Sequence, residues 1–147
     1  MKSYQNYING KWMDSSSKEK IQVEDPATTN ISGEIACANN ADVDLAVEAA
    51  KNSFDNRVLV DMPILERARL MRSIANETRK IAKEGGTLLC YENGKQIGAA
   101  IKEFNDVADM FDYYSGLTDK LEGKTIPVAN GVLDYTLLEP FGVSAHI

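Results

Sequence analysis

The sequence predicts an α/β fold, and three observations point to it. Near the N-terminus, Ile21 and Val23 alternate with Gln22 and Glu24, the period-two pattern of a half-buried strand. Further on, Val43, Ala46, Val47, Ala50 and Phe54 recur at the spacing of one helix face. Beyond Gly116 the period changes again, and short extended stretches flank Asn130-Gly131.

The elements follow in chain order. Tyr7-Ile8-Asn9-Gly10-Lys11-Trp12 predicts a β-hairpin, because Asn-Gly suits a type I′ turn whose two central residues need positive φ. Ser15-Ser16-Ser17 is a loop. The strand through Ile21 and Val23 stops at Asp25-Pro26, which opens a turn. A further strand over residues 31–37 completes a small antiparallel β element. Asn39-Asn40-Ala41-Asp42 offers capping oxygens and negative charge to the start of the first helix. Pro63 pre-sets the first turn of a longer helix. Its apolar stripe is Leu65, Ala68, Met71, Ala75 and Ile81, with Arg67, Arg69, Arg72, Arg79 and Lys80 on the other face. Gly85-Gly86 closes it. A short helix from Thr87 then ends at Glu92-Asn93-Gly94-Lys95. The last helix covers residues 97–115, with Ile101, Phe104, Ala108 and Phe111 on one face and Gly116 as its stop. Strands at 123–127 and 133–139 form a hairpin, Pro140 breaks the second, and residues 142–147 begin a new extended run.

Composition narrows the function classes. The 147 residues are 44% hydrophobic and 26% charged, which suits one globular domain or a piece of one. A net charge of -6 and a pI near 4.8 exclude the clustered basic footprint of a nucleic-acid binder. They also weigh against an anionic membrane surface, and no apolar stretch nears the ~20 residues of a membrane span. Polar residues follow Met1 directly, without the apolar core of a signal peptide, so a cytoplasmic protein is expected. Cys37 and Cys90 form neither a CxxC pair nor a zinc spacing and read as reduced thiols packed like small hydrophobes.

Several short motifs, in one order, resemble the aldehyde dehydrogenase superfamily. They are Tyr7-Ile8-Asn9-Gly10-Lys11-Trp12; Asp25-Pro26-Ala27-Thr28, similar to the family's N-P-A-T turn; and the stretch from Ala41-Asp42-Val43-Asp44 to Ala49-Ala50. Glu66-Arg67-Ala68, Glu92-Asn93-Gly94-Lys95 and Tyr113-Tyr114-Ser115-Gly116 follow. Gly123-Lys124-Thr125-Ile126-Pro127 and Glu139-Pro140-Phe141-Gly142-Val143 complete the series. Each motif alone is weak; their shared order across nearly the whole chain is specific. One departure is the segment 55–60, which lacks the tryptophan the family usually carries there.

The resemblance implies the N-terminal portion of an NAD(P)-binding domain. Residues 123–139 would be a projecting oligomerisation arm and 140–147 the first strand of a parallel sheet. It implies a parent enzyme that oxidises an aldehyde to a carboxylic acid with NAD or NADP, through a nucleophilic thiolate and a general-base glutamate. The family's oxyanion asparagine lies in a P-W-N-F-P motif placed just after Ile147, so Ile147 is expected at the edge of the cofactor site. The glycine-rich cofactor turn, base and nucleophile come later in the family, and Cys37 and Cys90 match no catalytic position. No catalytic residue is therefore expected among these 147 residues, and the chain alone is expected to be inactive. The alternatives are a non-catalytic homologue that docks on a full-length subunit through its hairpin, and a fragment with no retained role.

Two candidate sites come with the resemblance. Val23, Glu24 and Glu92 occupy the positions of a monovalent-cation site for K+ or Na+, built from backbone carbonyls and one acid; the alternative is that Glu92 caps or pairs locally. Glu103 and Asp106 share one helix face, where the aminoaldehyde and betaine-aldehyde branch lines its substrate entrance; the alternative is a solvated acidic face. His146 has no partner for a relay and reads as a strand residue, and Lys95 reads as a solvent-facing turn residue because no phosphate-loop pattern surrounds it. The expected partners are a small-molecule aldehyde and further copies of the same chain, with no nucleic acid and no membrane.

Overall fold

Asn9 and Gly10 take φ of 49° and 76°, the pair of left-handed residues that a type I′ hairpin needs. They join β2 (Asn6–Ile8) to β3 (Lys11–Met13), paired from Asn6↔Met13 to Ile8↔Lys11. The computed structural model describes residues 2–146. Its other strands are β1 (Lys2–Tyr4), β4 (Lys20–Glu24) and β5 (Ile31–Ala36). They form one sheet in the order β1-β5-β4. β4 and β5 are antiparallel, but β1 runs parallel to β5, from Lys2↔Gly33 to Tyr4↔Ile35. The purely antiparallel element read from the sequence is corrected at this strand: three residues are too few to show a period.

The start of α1 (Asn40–Asp55) carries a reciprocal cap. Asn39 caps it, its side chain accepting from the Asp42 N–H while the Asp42 carboxylate accepts from the Asn39 N–H. Asp42 also accepts from the Ser15 hydroxyl at 2.8 Å and from the Ser16 N–H. The serine loop is thereby fastened to the helix end, and Ser15 and Asp42 are buried. These donors, the Asn39 N–H foremost and then Ser15, hold the Asp42 carboxyl at a pKa of about 2. The apolar stripe of α1 has no such cover: Val43 and Val47 stand about half exposed.

Pro63 flanks α2 (Ile64–Asn93) rather than entering it; its carbonyl accepts from the Glu66 and Arg67 N–H groups. The helix then runs unbroken through Gly85-Gly86, which corrects the expected stop and the separate short helix. The reason lies in α3 (Ile97–Ser115), which packs back against it. A Cβ on Gly86 would sit 2.8 Å from the Ile101 N, and one on Gly85 would sit 2.3 Å from the Phe104 ring. The glycines are spaces for the neighbouring helix. The true terminator is Gly94, in the left-handed conformation at φ 73° with its N–H donating to the Cys90 carbonyl.

The seam between α2 and α3 is made of small residues. Ala68, Ala75, Ala82 and Gly86 are buried on α2, and Ala100, Ala108 and Ser115 on α3. The expected stripe is partly overturned: Leu65 and Ile81 face outward, because the close approach of the helices selects the alanine row spaced by seven. The α3 face read from Ile101, Phe104, Ala108 and Phe111 does turn inward, with Ala108 buried and the others half-buried. Arg79 reaches across the open side of the seam to Asp109 and Asp112 at 2.6 and 2.7 Å.

Beyond α3, β6 (Thr125–Ile126) and β7 (Asp134–Tyr135) pair antiparallel. This hairpin is shorter than the strands expected at 123–127 and 133–139, and residues 140–146 form no strand. Leu133, Leu137 and Leu138 are more than two-thirds exposed, and Phe141 is fully exposed. The total accessible surface is 11488 Å² for 16.2 kDa, against about 7500 Å² for a compact monomer of that mass.

Candidate functional site

Two turns meet where the sheet touches the end of α2. In the first, Asp25 accepts from the Ala27 N–H at 2.9 Å and from the Thr28 hydroxyl at 2.8 Å, folding Asp25-Pro26-Ala27-Thr28 around its own carboxylate. In the second, Asn93 accepts from the Lys95 N–H at 2.9 Å. Gly94 lies so close to Pro26 that an added Cβ would stand 3.0 Å from the proline ring.

Beside this junction lies a cavity of about 260 Å³ lined by Val23 and Glu92 together with Lys2, Tyr4, Ser32, Leu88 and Tyr91, among others. The structure thus brings together two of the three expected cation ligands. Glu24 does not line the cavity; the pairing of β4 with β5 shifts register between Val23 and Glu24, which turns the chain there. The Val23 carbonyl accepts from the Ser32 hydroxyl at 3.0 Å and stands opposite Gly33 in the β4–β5 ladder. A hard cation favours such oxygens, whereas the Lys2 ammonium on the same wall opposes one. No cluster of three acid, histidine or cysteine side chains suited to a metal occurs among the described residues. Lys2, Tyr4 and Tyr91 were not singled out from the sequence; only the β1–β5 pairing, invisible there, brings Lys2 and Tyr4 to this wall.

Glu103 and Asp106 lie on one face of α3, each held by a lysine. Lys95 pairs with Glu103 across the turn, and Lys102 pairs with Asp106 at 2.6 Å one helical turn away. Lys95, read from the sequence as a solvent-facing turn residue, is half-buried and tied to α3 by this pair. Both acids remain about half exposed. Cys37 and Cys90 are free, half-buried thiols. His146 lies 3.2 Å from the Ser144 hydroxyl, and among the described residues no acid completes a relay. Ile147, the expected cofactor contact, lies outside the described residues.

The described residues do not fit a dinucleotide. Their one parallel strand pair, β1 with β5, is connected through strands and carries no crossover helix, so it presents no glycine-rich turn with a helix N-terminus behind it. The N-terminus of α1 is already filled by its own Asp42 carboxylate. Among the described residues no helix is long and apolar enough to cross a membrane.

The fold and the two meeting turns define a mixed α/β segment. The profile of the Aldehyde dehydrogenase family matches residues 12–147, and the chain belongs to that family. It is 34% identical over 142 residues to Aldehyde dehydrogenase 1 of Tanacetum cinerariifolium, covering 96% of this chain and 28% of the relative. It is 35% identical to the peroxisomal Aminoaldehyde dehydrogenase 1 of Pisum sativum, covering 99% of this chain and 30% of the relative. An aldehyde dehydrogenase structure from Bacillus cereus superposes with a TM-score of 0.85 at 27% identity, over 91% of this chain and 28% of that one. The structure of PnpE in complex with nicotinamide adenine dinucleotide gives a TM-score of 0.81 at 34% identity, over 90% of this chain and 27% of that one. The chain therefore spans under a third of the length of these relatives.

Proposed function

We propose that this chain is the N-terminal part of the cofactor domain of an NAD(P)-dependent aldehyde dehydrogenase that oxidises an aldehyde to a carboxylic acid, and that it is inactive by itself. The family match over residues 12–147 carries the first half of that statement. The second half rests on the residues: no nucleophile–base pair and no dinucleotide cradle stand among those described. Its work is architectural. The α2–α3 pair and the small sheet form a platform, and the arm at 123–139 reaches toward another subunit or another part of the enzyme. The large uncovered apolar surface supports this reading. A cytoplasmic setting remains part of the proposal, although relatives are named mitochondrial and peroxisomal.

Grafting tests it. Residues 12–147 in place of the matching segment of the pea aminoaldehyde dehydrogenase should give a chimaera that still reduces NAD+ with an aldehyde. The chain alone should form no NAD(P)H above a Cys37→Ala, Cys90→Ala control. A chimaera that folds and assembles but does not turn over would overturn the assignment, as would turnover by the chain alone that the control lacks.

The similarity to two aminoaldehyde dehydrogenases of Pisum sativum favours one refinement of the substrate. Glu103 and Asp106 would draw positively charged aldehydes to the entrance. Their lysine partners offset this, so the pull is modest. In the chimaera, Glu103→Gln with Asp106→Asn should raise KM for an aminoaldehyde and leave a neutral aliphatic aldehyde unchanged. Equal losses for both would make the acids helix supports.

A further inference from the structure

The chain carries three Asn-Gly steps, at Asn9-Gly10, Asn93-Gly94 and Asn130-Gly131. Each is a potential site of spontaneous backbone chemistry. The glycine nitrogen attacks the asparagine Cγ, the C–N bond to the side-chain amide breaks, and ammonia leaves. The resulting five-membered imide is opened by water at either carbonyl. The products are aspartate, or isoaspartate with the main chain rerouted through the side chain. Nothing is oxidised or reduced, and water is the only co-reactant. The step needs three things: a glycine N–H free to lose its proton, an asparagine amide free to rotate, and a backbone free to bring the nitrogen over the carbon.

The fold treats the three steps differently. At Asn93 the Gly94 N–H donates to the Cys90 carbonyl at 2.9 Å, and the Asn93 side-chain oxygen accepts from the Lys95 N–H at 2.9 Å. Gly94 is also wedged against Pro26. Nucleophile, electrophile and backbone are all held. At Asn9 the side chain is exposed, but the two-residue loop is clamped by the Ile8↔Lys11 pairing directly beside it. At Asn130 only one turn hydrogen bond, from the Val132 N–H to the Ala129 carbonyl at 3.2 Å, spans the step. The nearest strand pairing, Ile126↔Asp134, lies well to either side. Among the described residues, neither the Gly131 N–H nor the Asn130 side chain has a hydrogen-bond partner, and both residues are exposed, with open space around Gly131.

We propose that Asn130 is a deamidation site of this protein, converting to aspartate and isoaspartate ahead of Asn9 and well ahead of Asn93. The order is set by the fold, because all three share the same reactive dipeptide. Conversion places a new negative charge at the tip of the arm, and the isoaspartate form lengthens the turn there by one backbone carbon.

The test ages the chain in mildly alkaline buffer without denaturant, at a temperature and dilution where its helical circular dichroism is intact, and follows peptides by mass spectrometry, with isoaspartyl methyltransferase labelling to mark the rerouted product. A parallel sample is aged in concentrated urea. In the folded sample the Asn130 peptide should convert first, at least about tenfold faster than the Asn93 peptide, whose hydrogen bonds must open before it reacts. In urea the three rates should draw together. Equal rates in the folded sample would overturn the proposal, and so would Asn93 leading. An order unchanged by urea would also overturn it, since neighbouring sequence rather than fold would then set the rates.

Discussion

Asp42 makes the residue-scale case. Its carboxyl is held at about 2, below the ordinary 3.8, so the stability it contributes is fully present above pH 3.8 and is lost as pH falls through about 2. Asp42→Asn should therefore melt a few degrees below the parent chain at neutral pH, with the gap closing between pH 4 and pH 2; a constant gap would assign the loss to shape instead of charge. The glycines give an opposite pair. Gly86→Ala pushes a methyl group against the Ile101 backbone and should destabilise by about 1–3 kcal/mol. Gly98→Ala meets nothing within 4 Å and should stabilise by about 0.4–1 kcal/mol; urea denaturation separates the two. For the cation reading, K+ or Na+ in place of choline should raise the melting midpoint, and Glu92→Gln should abolish the rise. A rise that survives Glu92→Gln would remove this acid from the site.

At the scale of elements, local signals were legible wherever the chain itself satisfies its polar groups. The Asn9-Gly10 hairpin, the Asn39–Asp42 cap and the Gly94 terminator could all be read because each is a contact within a few residues. Gly85-Gly86 misled because its reason is Ile101 and Phe104, which lie a helix away. β1 was missed because its partner strand is distant in sequence. The candidate cation site was legible only through the family resemblance, because Val23 and Glu24 on β4 and Glu92 near the end of α2 are far apart in sequence. The arm hairpin is held by two residue pairs, too few for independent stability. Its amides at Thr125 and Tyr135 should therefore exchange with solvent nearly unprotected, while those at Ala75 and Ala108 in the helix seam exchange slowly. Equal protection would show that the arm is structured by contacts beyond its own ladder.

For the whole molecule the decisive quantity is surface. Among the described residues the buried apolar side chains are all alanines, and no large side chain is fully buried. Alanines bury little area each, so the hydrophobic gain at about 25 cal/mol per Å² is small for a chain of this length. The chain by itself should bind an apolar dye, self-associate, and melt over a broad range. A sharp two-state transition in a monodisperse monomer would show that this surface needs no cover.

The paired glycines inside α2 bear on the order in which the chain acquires its shape at the ribosome. Two adjacent glycines cost a helix about 2 kcal/mol relative to alanine. That cost is offset only once Ile101 and Phe104 arrive to occupy the space they leave. Residues 64–84 leave the exit tunnel before α3 does and are free to coil into helix on their own. The joint at Gly85-Gly86 should stay loose until α3 has emerged and folded back. The longest rod in the molecule is thus expected to be completed late, by a segment made after it.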